Sequence, residues 1–135
     1  MPNNHLIAIV DDDASVREAL TGLLKSFGRP AIAFERAEDF LNSDQRRAAS
    51  CLIADVQMPE MTGPELYNRL VASGDPIPTI FITAYPDPIS RTRALQNGAI
   101  CYLSKPFLQD DFLACIDLAI SASEAKGQRR RPDEA

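Results

Sequence analysis

The chain lacks tryptophan and carries a single histidine, His5, among its 135 residues. One histidine, ahead of the first apolar run, argues against a histidine-built metal site or catalytic triad. Cysteine is scarce: Cys51, Cys101 and Cys115 are odd in number and lack metal-ligand spacing. Cys51 and Cys101 fall in predicted strands and Cys115 in a predicted helix, so all three are expected to be reduced core thiols. No Gly-rich phosphate loop occurs, which leaves a nucleotide-binding enzyme unsupported. No apolar run is long enough to span a membrane, and the start Met1-Pro2-Asn3-Asn4-His5 is too short and polar for a signal peptide. A cytoplasmic location without membrane contact is the expectation. Net positive charge is also missing. At a formal charge of −5 the chain is a poor candidate for direct nucleic-acid binding, which depends on neutralising phosphates.

The apolar residues that are present are ordered. A chain of 135 residues suits one domain with one sizeable core. Continuous apolar runs at Leu6–Val10, Ala31–Phe34 and residues 51–55, 77–83 and 100–103 predict five strands, buried on both faces. Five helices alternate with them. The first carries Val16, Leu20, Leu23, Leu24 and Phe27 at helical spacing, with a capping box expected from Ser15 and Glu18 and a stop at Gly28. Asp12 or Asp13 is the alternative cap. The second is weakly signalled over residues 38–45, with Phe40 and Leu41 as its apolar contacts and a polar loop at 46–50. Thr62 and Glu65 predict a capping box for the third, with Pro64 in the first turn and Leu66, Tyr67, Leu70 and Val71 as the buried stripe. The fourth, residues 89–97, is the least apolar. The fifth starts near Asp110 and buries Phe112, Leu113, Ile116 and Ile120. Beyond Ser121 the chain turns polar. Residues 1–122 are assigned to the domain and 123–135 to a tail or linker start, with Arg129-Arg130-Arg131 in a solvated, irregular segment. Strict alternation of strand and helix implies an α/β fold: a parallel sheet covered on both faces, with right-handed crossovers.

Parallel strands share one carboxyl edge, and open α/β sheets build their sites there. Strand one ends in Asp11 and Asp12, strand three in Asp55, strand four in Thr83, and Lys105 follows strand five. Each has a plain reading alone: a turn aspartate, a β-branched strand residue, a surface lysine. Together they bring three carboxylates, a hydroxyl and an ammonium to one edge. Such carboxylates repel unless a cation is present. A hard divalent ion such as Mg2+ takes oxygen ligands and tolerates one or two carboxylates beside phosphate oxygens. Asp55 can then stay ionised as a nucleophile toward phosphorus, with Lys105 offsetting charge on the phosphoryl group and Thr83 donating to a phosphoryl oxygen.

The motifs Val10-Asp11-Asp12-Asp13, Asp55-Val56-Gln57-Met58-Pro59 with Gly63, Thr83-Ala84, Gly98-Ala99 and Lys105-Pro106-Phe107 occur in this order over residues 6–121. In these the chain resembles the receiver domain of two-component response regulators, with a local flavour of nitrogen-fixation and nodulation regulators. The resemblance implies a flavodoxin-like (βα)5 doubly wound sheet in the order 2-1-3-4-5. It implies that Asp55 accepts a phosphoryl group from a phosphohistidine of a sensor histidine kinase. It implies Mg2+ held by Asp12, Asp55 and the Gln57 backbone carbonyl, with Asp11 acting through water. Lys105 would pair with the phosphoryl group next to a cis Lys105-Pro106 bond. Thr83 and Tyr102 would form the switch that remodels the face of the fourth helix, fifth strand and fifth helix. The side chains of Gln57 and Tyr85 would tune self-dephosphorylation, with Tyr85 shielding the acyl phosphate. Implied partners are the kinase, a downstream protein or an attached output domain, and a second copy of the chain on phosphorylation. Two features depart from the usual pattern: Pro86 and Pro88 stiffen the turn before the fourth helix, and Arg36 stands where a Ser or Thr cap is common. With no output domain in the sequence, either a single-domain regulator or the receiver of a longer transcription factor is expected.

Two rivals remain at this stage. A haloacid-dehalogenase-type phosphatase would use Asp11 and Asp13 with Thr83 and Lys105, but Ser15 and the early Asp110-Asp111 pair fit it poorly. A pseudo-receiver that takes no phosphate would not need the intact acidic set.

Overall fold

Alternation of side-chain direction along five apolar runs creates two buried faces, and helices fill both. The computed structural model describes residues 5–129. Among these, β1 (Leu6–Val10), β2 (Ala31–Phe34), β3 (Ala49–Asp55), β4 (Thr79–Thr83) and β5 (Cys101–Ser104) form one parallel sheet in the order β2-β1-β3-β4-β5. Between and after them run α1 (Ala14–Ser26), α2 (Ala37–Leu41), a 3-10 turn at Asp44–Ala48, α3 (Gly63–Ala72), α4 (Pro88–Gln96) and α5 (Gln109–Arg129). This is the flavodoxin-like doubly wound sheet, in the expected strand order.

Ile7, Ile9, Cys51, Ile53, Ile80 and Ile82 pack with Leu20 and Leu24 of α1 and with Phe112, Ile116 and Ile120 of α5. The intervening Ala8, Val10, Leu52, Ala54 and Phe81 pack with Phe40, Leu66, Leu70 and Ala94 of α2, α3 and α4. The period of two carries on past the last apolar residue. Ile9 pairs with Ile53 and Val10 with Ala54, so Asp11 and Asp55 follow as neighbours on the α1/α5 side. Phe81 pairs with Tyr102 and Thr83 with Ser104, which puts Thr83 and Tyr102 on the opposite, α3/α4 side.

Several expectations are corrected. At α1 the N-cap is Asp13, whose Oδ1 accepts from the Ser15 amide at 2.8 Å. The Ser15/Glu18 box therefore does not form, because the chain turns into the helix two residues earlier. Phe27 and Val71 are half exposed, at 51% and 48%, rather than part of the buried stripes; Phe27 sits at the C-cap of α1, where the stripe has ended. The second helix stops at Leu41, and Ser43 caps a separate 3-10 turn through its side chain. Arg36 occupies the N-cap of α2 without a side-chain cap bond. The Thr62/Glu65 box forms in both directions.

The three cysteines are not all reduced. Cys101 of β5 and Cys115 of α5 are joined as a disulfide, with Cα atoms 6.2 Å apart, and Cys51 is a free buried thiol. α5 lies against the sheet, so residues 14 apart in sequence come face to face, a pairing that spacing alone does not announce. α5 also runs through the segment expected to be irregular, as far as Arg129. Its good helix formers Ala122, Glu124 and Ala125 favour continuation, and Glu124 is tied to His5 Nε2 at 2.9 Å. Arg130 and Arg131 of the basic triplet, and the polar start at residues 1–4, lie outside the described residues. Among the described residues, no helix is long and apolar enough to cross a membrane.

Candidate functional site

The site begins where β1 and β3 end. Asp11 is fully buried and Asp55 is 6% exposed. Asp11 Oδ1 accepts from the Asp13 amide at 2.9 Å, and Asp55 Oδ1 accepts from the Gln57 amide at 3.0 Å. Each aspartate thus starts its own turn while keeping Oδ2 for the space between the strands. Lys105 fills that space: its Nζ donates to Asp11 Oδ2 at 3.0 Å and to Asp55 Oδ2 at 3.2 Å. Its backbone amide donates to the Thr83 carbonyl at 2.7 Å, and the Lys105-Pro106 bond is cis. Asp12 is exposed at the rim. One ligand oxygen from each of Asp11, Asp12 and Asp55 can be chosen so that all lie within 4.8 Å of one another.

The loop after β3 is held tightly to the sheet. The Val56 amide donates to the Ile82 carbonyl at 2.9 Å, and the Gly63 amide returns to the Val56 carbonyl at 3.2 Å. Gly63 has to be glycine for space, since a Cβ there would stand 2.5 Å from the Asp55 carbonyl oxygen. The first turn of α3 therefore rests directly on the backbone of Asp55.

Burial raises the Asp55 pKa above the usual carboxylate value, and the Asp11 charge adds to it; the Gln57 amide and Lys105 pull the other way. For Lys105 burial disfavours the charge, but Asp11 and Asp55 outweigh it and the pKa rises. One ammonium shared by two carboxylates already leaves an excess of negative charge, and Asp12 adds to it. An all-oxygen donor set with excess negative charge suits a hard divalent cation such as Mg2+.

Thr83 does not reach Asp55. It is fully buried, its Oγ1 donates to the Gln57 side-chain Oε1 at 2.8 Å, and it accepts from the Tyr85 amide at 3.0 Å. The Tyr102 ring is 8% exposed, and its hydroxyl is buried with no hydrogen-bond partner among the described residues. Tyr85 is 74% exposed. The structure thus gathers Asp11, Asp12, Asp55 and Lys105 on one side of the sheet edge. It joins Thr83 to Gln57 on the other and leaves Tyr85 at the rim. Sequence reasoning missed the side-chain link from Gln57 to Thr83. The signal was the polar side chain two residues after Asp55, but its target follows only from the β3–β4 register, in which Asp55 pairs with Ile82.

A family model described as response regulator receiver domain matches residues 7–117. The response regulator protein TmoT of Ectopseudomonas mendocina is 42% identical over 115 residues, covering 85% of this chain and 52% of that protein. Nodulation protein W of Bradyrhizobium diazoefficiens is 36% identical over 125 residues, covering 93% of this chain and 54% of that protein. The chain spans about half the length of the curated relatives it matches. Among solved structures, the response regulator StyR superposes with a TM-score of 0.89 at 38% identity, over 98% of this chain and 67% of that one.

Proposed function

Because the chain belongs to the response regulator receiver family, we propose that it is the phosphoacceptor of a two-component relay, with Asp55 taking the phosphoryl group from a phosphohistidine of a sensor histidine kinase. The observation that carries this is the surroundings of Asp55: Lys105 at 3.2 Å, the Gln57 amide at 3.0 Å, and the Asp11 and Asp12 carboxylates alongside. An Asp55 oxygen attacks phosphorus, the P–N bond breaks, and the imidazole leaves with the electron pair. Lys105 is already at the oxygen that would carry the acyl phosphate and offsets the charge that arrives with it.

Asp12, Asp55 and the Gln57 carbonyl, with Asp11 through water, would hold Mg2+, which when bound supplies charge neutralisation for the phosphoryl oxygens. Thr83 and Tyr102 act as the switch, biasing the surface of α4, β5 and α5 for a partner, a second copy of the chain or an attached output domain. Gln57 and Tyr85 tune the slow self-hydrolysis of the acyl phosphate. The receiver proper occupies residues 1–122, with α5 carrying on into the linker, and the setting is cytoplasmic.

Incubation with acetyl phosphate and Mg2+, read by intact-protein mass spectrometry, tests this. Wild type is expected to gain one phosphoryl mass and Asp55→Asn none. Equal gain by Asp55→Asn, or none by wild type, overturns the reading; the second result is that of a pseudo-receiver.

A further inference from the structure

We propose that the Gln57 side chain is a positioning residue that captures the Thr83 hydroxyl in the resting protein, so that phosphorylation of Asp55 must take Thr83 away from Gln57. The inference rests on the receiver reading, which gives the Gln57 side chain a part in self-hydrolysis, and adds a resting-state partnership with Thr83. A threonine hydroxyl has one proton to give. In this structure it goes to Gln57 Oε1 at 2.8 Å. Donation to a phosphoryl oxygen on Asp55 needs the same proton, so the two bonds exclude each other. Thr83 is fully buried, so its hydroxyl is shielded from bulk solvent. Gln57 is exposed, so its carbonyl loses little when released, because solvent replaces the hydroxyl.

The same oxygen links the latch to the next element. Thr83 Oγ1 accepts from the Tyr85 amide at 3.0 Å, and Tyr85 opens the turn Tyr85-Pro86-Asp87-Pro88 that leads into α4 (Pro88–Gln96). Gln57, Thr83 and the Tyr85 backbone thus form one chain of hydrogen bonds running from the phosphoacceptor loop to the start of α4. A hydroxyl pulled toward Asp55 gives up its bond to Gln57 and strains the one to Tyr85. Gln57 therefore sets how much phosphoryl binding is needed before the β4–α4 turn lets go.

The test is a double-mutant cycle on Gln57→Met and Thr83→Ala, read by titration of the 135-residue chain with beryllofluoride and Mg2+ and by amide NMR. Methionine keeps the length of the side chain and removes the acceptor. Gln57→Met is expected to bind the phosphoryl mimic about fivefold tighter, the worth of one ordinary hydrogen bond. In the Thr83→Ala background the same substitution is expected to change nothing. Without Mg2+ or mimic, the Tyr85 amide resonance of Gln57→Met is expected to move toward its position in the mimic-bound wild type. Unchanged affinity in Gln57→Met, or a gain that persists without the Thr83 hydroxyl, overturns the latch alone. Failure of wild type to bind the mimic overturns the receiver reading and the latch with it.

Discussion

Lys105 is shared between Asp11 and Asp55, and its removal leaves two buried carboxylates facing each other. Lys105→Gln is expected to cost about 2 kcal/mol in metal-free protein, less than for a fully buried pair because the lysine is 19% exposed. Mg2+ should restore more of the stability of this variant than of wild type; urea denaturation with and without Mg2+ measures both. Asp55 gives a pH dependence of known sign. Its pKa is raised in the fold, by burial and then by Asp11. Between the ordinary carboxylate value and the raised one, the folded state holds a proton that the unfolded state has lost. Stability contributed by this group is therefore lost as pH rises through that window. Asp55→Asn, which has no proton to lose, is expected to be more stable than wild type by about 1 kcal/mol at neutral pH without Mg2+, or about 3–5 °C in Tm. The difference should vanish at pH values below the unfolded carboxylate pKa, and calorimetry across pH reads it. Cys51 is the third residue with a clear expectation. Burial pushes its thiol up to about 12, so iodoacetamide should label it only after unfolding, and non-reducing peptide mapping should recover Cys101 joined to Cys115. At this scale the sequence was readable for Asp11, Asp12, Asp55 and Lys105, since charged residues after apolar runs have nowhere to sit but a strand end. The partner of Thr83 and the pairing of the cysteines were not readable, because both depend on which residues of distant elements face each other.

Elements rather than side chains position Asp55. Asp55 is the last residue of β3, and the first residue of α3, Gly63, packs its Cα against the Asp55 carbonyl. Gly63→Ala is expected to cost about 2 kcal/mol, because the added methyl must displace backbone rather than a flexible side chain. It should also slow phosphorylation by acetyl phosphate, since relief of the clash moves Asp55 itself. Rate and stability that both match wild type would show that α3 does not set the acceptor's place. Element type and order were readable wherever apolar runs are long: β1, β3, β4 and α3 all stand close to their predicted limits. The weak spots were the ends of elements. α2 broke early because Ser43 offers a cap that restarts the chain as a 3-10 turn. α1 was capped by Asp13 because that residue's extended backbone places its carboxylate over the Ser15 amide. Both outcomes are local competitions between short polar side chains, which periodicity does not resolve.

At the scale of the whole molecule, the pleat of the sheet separates two groups of residues. Asp11, Asp55 and Lys105 lie on the α1/α5 side, and Thr83 with Tyr102 on the α3/α4 side, so the proposed chemistry and the proposed response share one edge but not one face. Two links join them: the Gln57 side chain accepts from Thr83 Oγ1, and the Lys105 backbone amide donates to the Thr83 carbonyl. α5 is fastened to the body of the protein by Arg29 to Asp117 at 3.0 Å and His5 to Glu124 at 2.9 Å, which carries the helix past the expected domain limit at residue 122. The parallel sheet could be read from alternation alone, whereas the length of α5 could not, since Glu124 near its end meets His5, 119 positions away. The most direct test is to trap the acyl phosphate with borohydride after exposure to acetyl phosphate and to locate the reduced residue by peptide sequencing. Reduction at Asp55 alone, and only when Mg2+ is present, is the expected result; reduction at Asp11, or labelling of Asp55 that does not depend on Mg2+, would contradict it.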